Sequence, residues 1–224
     1  MTAPRFIHLR LHSEFSITDG IVQLDDAVKR AVKDSMPALG MSDLMNIFGM
    51  VKFYKSCRGK GIKPIVACDI WLQNDDDRDK PYRLMLTVKN RAGYKRLCQL
   101  LADAYTHNQY RGRAEIKREW LENGDNSNLL CLSGAHHGDV GLALSMGQHD
   151  EARRRADYWA RLFPGGFYLE LQRINNPQVE NVVQSPVWLA GETGLPVAAT
   201  SPIQFMEPDD FKAHEARVCI AEGY

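Results

Sequence analysis

Short apolar runs alternate along this chain with stretches whose apolar residues recur at helical spacing. The runs Phe6–Leu11, Ala38–Met41, Lys63–Leu72, Tyr82–Val88, Asn128–Leu132, Phe167–Leu171 and Leu195–Ala199 read as strands. Between them lie helical periods. Gln23–Lys33 puts Leu24, Ala27, Val28, Ala31 and Val32 on one face. Asn90 is placed to cap a helix in which Tyr94, Leu97, Cys98, Leu101, Ala104 and Tyr105 recur. Asp150 is placed to cap another, through Tyr158 and Leu162, which Pro164-Gly165-Gly166 stops. Val179–Thr193 and Asp209–Glu222 complete the helices. Arg58-Gly59-Lys60-Gly61 reads as a helix C-cap leading into the third strand. Asn74–Lys80 and the Arg- and Gly-rich His107–Glu119 read as solvent loops.

Alternating strand and helix predicts a parallel sheet with helices outside it. Seven such units suggest a closed α/β barrel, with an open doubly wound sheet as the alternative. No composition break marks a second domain, so residues 1–224 are expected to form one. The chain stops directly after its last predicted helix, which suggests a piece of a longer protein.

Composition narrows the classes. The chain is 44% hydrophobic and 25% charged over 224 residues, enough for a core without a disulfide or metal staple. Lys+Arg and Asp+Glu are 28 each. A domain that grips DNA by itself usually carries a basic excess, so weak or no direct DNA binding is expected. Cys57, Cys68, Cys98, Cys131 and Cys219 are odd in number and form no CxxC pair, which points to free thiols in a reducing cytoplasm. No apolar run approaches a membrane span, and the start lacks a signal-peptide core.

In an α/β barrel, chemistry sits where strands end. Strand one ends in His8-Leu9-Arg10-Leu11-His12, with Asp19 following, and alternation puts His8, Arg10 and His12 on one side. Asp43, Asp69, Arg83, His136-His137, Asp139, Glu170, Gln172 and Gln204 lie at or beyond the other strand ends. His, Asp and Glu together suit divalent metals, but a hydrolytic site needs at least three ligands per ion. The alternative is that His12 and Asp19 hydrogen-bond loop backbone. Arg10, a permanent cation that could pair with Asp19 or Asp69, favours that alternative. His136-His137 read as exposed loop histidines, and Arg153-Arg154-Arg155 as a solvated helix face.

The stretch His8-Leu9-Arg10-Leu11-His12-Ser13-Glu14-Phe15-Ser16-Ile17-Thr18-Asp19-Gly20 resembles the opening motif, HLHxHTEYSxxDG, of PHP (polymerase and histidinol phosphatase) domains in bacterial replicative polymerase alpha subunits. Asn46–Tyr54, Gly61–Ile65, Lys89–Tyr94, Leu132–Gly134, Tyr168–Gln172 and Ala213–Ala216 continue the resemblance in order. It implies a distorted barrel of seven βα units, similar to a TIM barrel. It also implies that the palm, fingers and thumb of a Mg-dependent, DNA-directed DNA polymerase follow Tyr224. The catalytic carboxylates of nucleotide addition are then absent from this chain. Metal-dependent members use a set of nine His, Asp, Glu and Cys ligands. His12 and Asp19 match it, and Asp69 replaces a Glu. Arg10 and Leu44 stand in His positions, Arg83 in another, Ala135 in a Cys position, and Pro202 and Gln204 in place of Asp and His. The resemblance therefore implies an inactive PHP domain that needs no cofactor, scaffolds the polymerase and docks the proofreading exonuclease subunit. A residual phosphoesterase or pyrophosphatase is the alternative.

Overall fold

The structure is a computed structural model that describes residues 6–173 and 177–223, with the side chains of 177–183 and 222 left aside. In chain order the elements are α1 (Leu24–Lys33), β1 (Ala38–Met41), α2 (Met50–Gly59), β2 (Lys63–Leu72), β3 (Tyr82–Val88), α3 (Arg91–His107), β4 (Gln109–Tyr110), β5 (Arg113–Ala114), α4 (Arg118–Glu122), β6 (Leu129–Leu132), α5 (Asp139–Ser145), α6 (His149–Leu162), β7 (Phe167–Gln172), α7 (Pro177–Thr193), β8 (Val197–Thr200) and α8 (Phe211–Glu222). They form two compact units, residues 1–68 with 201–224, and residues 69–200.

In the first unit β1 pairs in parallel with β2, from Ala38 opposite Lys63 to Met41 opposite Val66. Helix α1 turns Leu24, Ala27, Val28 and Ala31 inward, as its spacing predicts, but Val32, expected on the same face, is exposed. Asp25 and Asp26 sit in its first turn and Arg30 and Lys33 in its last, each matched to the helix dipole. Their core also takes Leu11, Val22, Leu39, Met41, Phe53, Cys57 and Ile62. Phe6–Leu11, expected as a strand, forms no ladder. Its backbone groups bond two different neighbours in turn. The His8 carbonyl accepts from Gly40 and the Leu11 carbonyl from Ser42, while the Arg10 carbonyl accepts from Ile203. Gly40 permits that approach, because a Cβ there would collide with the Leu9 backbone. Helix α2 carries less apolar periodicity, burying Phe53 and Cys57 alone. It ends as expected, with Lys60 as C-cap and Gly61 at a φ of 74°.

In the second unit β3, β6, β7 and β8 are successive hydrogen-bonded neighbours. β6, β7 and β8 run parallel, but β3 is antiparallel to β6, a departure from the all-parallel expectation. Asn90 caps α3 as predicted, its side chain accepting from the Ala92 and Gly93 N–H groups. The stretch His107–Glu119 is not a solvent loop. It holds the β4–β5 hairpin and the start of α4, with Ala114, Glu115 and Ile116 buried. Arg111 and Gly112 both have positive φ at the hairpin tip, the geometry a tight two-residue turn needs. Asp150 does not cap α6. Gln148 holds that position, and Asp150 and Glu151 lie in the first turn.

Candidate functional site

Ser13 organises the strand-end chemistry of the first unit. Its hydroxyl accepts from the Phe15 N–H at 3.1 Å, which fixes a short 3₁₀ turn over Glu14–Ser16. The same hydroxyl donates to Asp43 Oδ2 at 2.9 Å, and the Ser13 N–H donates to Asp43 Oδ1 at 2.6 Å. Asp43 is fully buried at the end of β1. Burial pushes its carboxyl above the usual carboxylate range, while the two Ser13 bonds and nearby His12 pull it down. Asp19 lies beyond the turn. His12 Nδ1 and Asp19 Oδ2 are 2.9 Å apart. Ser16 Oγ donates to Asp19 Oδ1 at 2.6 Å, and Gln204 Nε2 reaches Oδ2 at 3.4 Å. Gly20 closes the loop, because a Cβ there would collide with the carbonyls of His12 and Ser13. Arg10 is buried in this unit. Leu44 is half-buried, its N–H donating to Ser16 Oγ at 3.0 Å, and Pro202 is exposed.

The second unit carries the other expected positions. Asp69 is fully buried on β2 and forms an ion pair with the Arg83 guanidinium, which also lies over the Trp71 ring. Ala135 is buried in a short 3₁₀ turn at a φ of 49°, following Gly134 at 76°. His136 and His137 have ring centroids 3.9 Å apart, the second exposed. Glu170 is buried and accepts from Gln172 and Thr200. Only part of the expected arginine run is a solvated face. Arg154 is exposed beside Glu151, but Arg155 turns inward to the Asp139 carbonyl at 2.8 Å.

A divalent metal of the kind PHP enzymes use fits these donors poorly. His12 and Asp19 face each other. Asp69 faces a guanidinium, whose permanent charge opposes a second cation at the same carboxylate. Among the described residues no three His, Cys, Asp or Glu side chains are placed to hold an ion. The thiols offer little chemistry either. Burial raises Cys57 to about 11 and Cys131 well above its ordinary value.

Two buried ionic clusters escaped the sequence reading. Asp139 meets Arg118 at 2.8 Å and the Trp159 indole N–H at 3.0 Å. Glu115 meets Arg78 at 2.9 Å and Arg113 at 2.7 Å. Most of these partners are about 20 or more residues apart, so no local spacing announces them.

The model of the PHP domain family matches residues 8–174. The chain belongs to that family. A relative called DNA polymerase III subunit alpha, from Neisseria meningitidis serogroup A, is 56% identical over the whole chain. Proteins of the same name from Pseudomonas fluorescens and Escherichia coli K12 are 42% and 39% identical over 97% and 100% of it. The chain spans about a fifth of the length of these relatives: 20%, 18% and 19%. Among solved structures, an amidohydrolase from Chromobacterium violaceum superposes with a TM-score of 0.60 at 13% identity, covering 94% of this chain and 96% of that one. A protein described as a metal-dependent phosphoesterase from Bifidobacterium adolescentis gives 0.52 at 11%, with the same coverage. These likenesses show the α/β fold of PHP proteins, the class expected from the sequence. No helix among the described residues is long and apolar enough to cross a membrane.

Proposed function

We propose that this chain is a catalytically inactive scaffold within a cytoplasmic DNA polymerase III alpha subunit, and that it docks the proofreading exonuclease subunit. The observation that carries the reading is the ion pair between Asp69 and Arg83. A ligand position of PHP enzymes is there occupied by a cation, and the neighbouring carboxylate is committed to it. Arg10, Leu44, Ala135, Pro202 and Gln204 extend the same pattern of replaced donors. A fold of PHP type that carries these replacements supports a role other than metal-dependent hydrolysis. DNA-templated nucleotide addition, with its Mg ions, belongs to the rest of the polymerase. A net charge of zero supports weak or no direct DNA contact here.

The test is co-purification of the exonuclease subunit with this chain, alongside a hydrolysis assay on a generic phosphodiester and on pyrophosphate. The expected result is stoichiometric capture without hydrolysis. Capture that fails while the alpha subunit lacking residues 1–224 still binds the exonuclease overturns the docking role. A second reading has one observation in its favour, the intact His12–Asp19 pair. It makes the chain a residual phosphohydrolase using His12, Asp19, Asp69 and Glu170. That reading requires hydrolysis that disappears on His12→Ala.

A further inference from the structure

The first unit holds a cavity of about 190 Å³. Leu11, Met36, Leu39, Ile203, Phe205 and Met206 form most of its wall, and α1 adds two small side chains, Ala27 and Ala31. Asp34 and Met36 precede β1, whereas Asp43 follows it. The cavity therefore lies toward the start of that strand, and the Ser13–Asp43 pair at its end. Its wall is pinned by backbone bonds. The Met36 N–H donates to the Ala31 carbonyl at 2.9 Å, at the end of α1. On the other side the Ile203 carbonyl accepts from His12 at 2.8 Å and the Gln204 carbonyl from Ile21 at 2.9 Å. A preformed apolar hollow with few polar groups is the usual form of a small-molecule site.

Three polar side chains line it: His8, Arg30 and Asp34. Two of them are committed. Arg30 donates through Nε to Asp34 at 3.0 Å and through Nη1 to Glu207 at 3.1 Å. The His8 ring makes no hydrogen bond among the described residues, and meets only the Phe6 ring, edge-on, at 4.9 Å between centroids. Its Nδ1 is buried without a partner, which leaves Nε2 as the nitrogen open to a ligand. Burial lowers the His8 pKa, so the imidazole is neutral at pH 7.

Size and polarity select the ligand. An apolar cavity of about 150 Å³ takes up benzene, and sites for larger molecules start at about 300 Å³. This one admits a single six-membered ring and excludes a nucleotide. Methionine side chains adapt to a ring and their sulfurs favour its edge, and two of them stand in this wall. The apolar wall disfavours a charged ligand, because nothing inside it offsets the lost hydration. A neutral imidazole calls instead for a hydroxyl, which donates or accepts and so suits either tautomer. We propose that the cavity is a binding site for a neutral, single-ring aromatic ligand carrying one hydroxyl group, its ring against Met36, Leu39 and Phe205 and its hydroxyl on His8.

The experiment titrates phenol, toluene and benzylammonium into the full-length polypeptide that carries these residues, with its methionine methyl groups labelled for NMR. Met36→Leu and Met206→Leu assign the two signals that report on the cavity. Phenol should shift both to saturation, with a dissociation constant of about 1 mM or tighter, and leave the exposed Met146 unmoved. It should bind at least as tightly as toluene, although toluene leaves water more readily, and benzylammonium should not bind. Unmoved Met36 and Met206 signals, or tighter binding of toluene or benzylammonium, overturn the proposal. His8→Leu should weaken phenol roughly tenfold and spare toluene; equal effects on the two ligands overturn the role of His8. Ala31→Met fills the cavity from α1 and keeps the test standing where His8→Leu fails to fold. Phenol should then no longer shift Met206, and undiminished binding overturns the site.

Discussion

Buried carboxylates are held differently in the two units. In residues 6–68 and 201–223, the fully buried Asp43 is held by the hydroxyl and backbone N–H of Ser13, both neutral donors. In residues 69–200, Asp69, Glu115 and Asp139 each meet a guanidinium, from Arg83, from Arg78 with Arg113, and from Arg118. Glu170 is the exception there, accepting from an amide and a hydroxyl. The difference decides what each unit is sensitive to. A carboxylate held by neutral donors answers to pH. One held by an arginine answers to loss of its partner, because the charge left behind is buried and uncompensated.

The largest effect that sharpens this comparison is Arg118→Ala. It strands Asp139 and should cost about 3–5 kcal/mol in urea unfolding. Adding Asp139→Asn should recover a substantial part. A loss under about 1 kcal/mol would erase the distinction between the units. Asp43→Asn comes next, at about 1–3 kcal/mol, since an amide cannot accept both Ser13 bonds. Its pH signature is separate. Burial raises the Asp43 pKa, so in the window above its ordinary 3.8 the folded chain binds more protons than the unfolded one. Wild-type stability from this group therefore falls as pH rises through that window, and Asp43→Asn should lack the slope.

His8 gives a smaller effect of opposite sign. Burial lowers its pKa, against a weaker raising influence from Asp34. The unfolded chain then binds the proton more readily, so stability falls as pH drops below about 6.5. His8→Phe should flatten melting temperature against pH in that range. A slope that survives the change assigns the dependence elsewhere. The smallest effect is Arg153→Ala. Its pair with Glu192 is half-exposed on both sides, and the change should move stability by no more than about 0.5 kcal/mol. A larger loss would mean that exposure does not set the value of an arginine pair in this unit.

Local chemistry made much of the fold legible. Asn90 and Gly61 have one job each, a cap and a left-handed turn, and both do it where the sequence puts them. The face of α1 follows directly from the spacing of Leu24, Val28 and Ala31. What was not legible depends on distant partners. Residues 6–11 have the alternation of a strand, but their bonds go to residues 40, 42 and 203, so no ladder forms. Glu115 sits in a polar stretch that reads as loop, and only Arg78 and Arg113 make its burial possible. The antiparallel β3 follows a nine-residue connection, Gln73–Pro81, with no crossover helix, and that shortness was the available signal. The candidate site was legible as positions, because His12, Asp19, Asp69 and Arg83 can be read off a motif. It was not legible as pairs. That Asp69 meets Arg83, and that Ser13 holds Asp43, required coordinates.

The central claim is that these residues hold no metal. Its most direct test is elemental analysis of the purified chain, incubated with Zn, Mn or Mg and then desalted. The account predicts less than one tightly held ion per chain, with no change on His12→Ala. One or more ions per chain, lost when His12 or Asp19 is replaced, would contradict it.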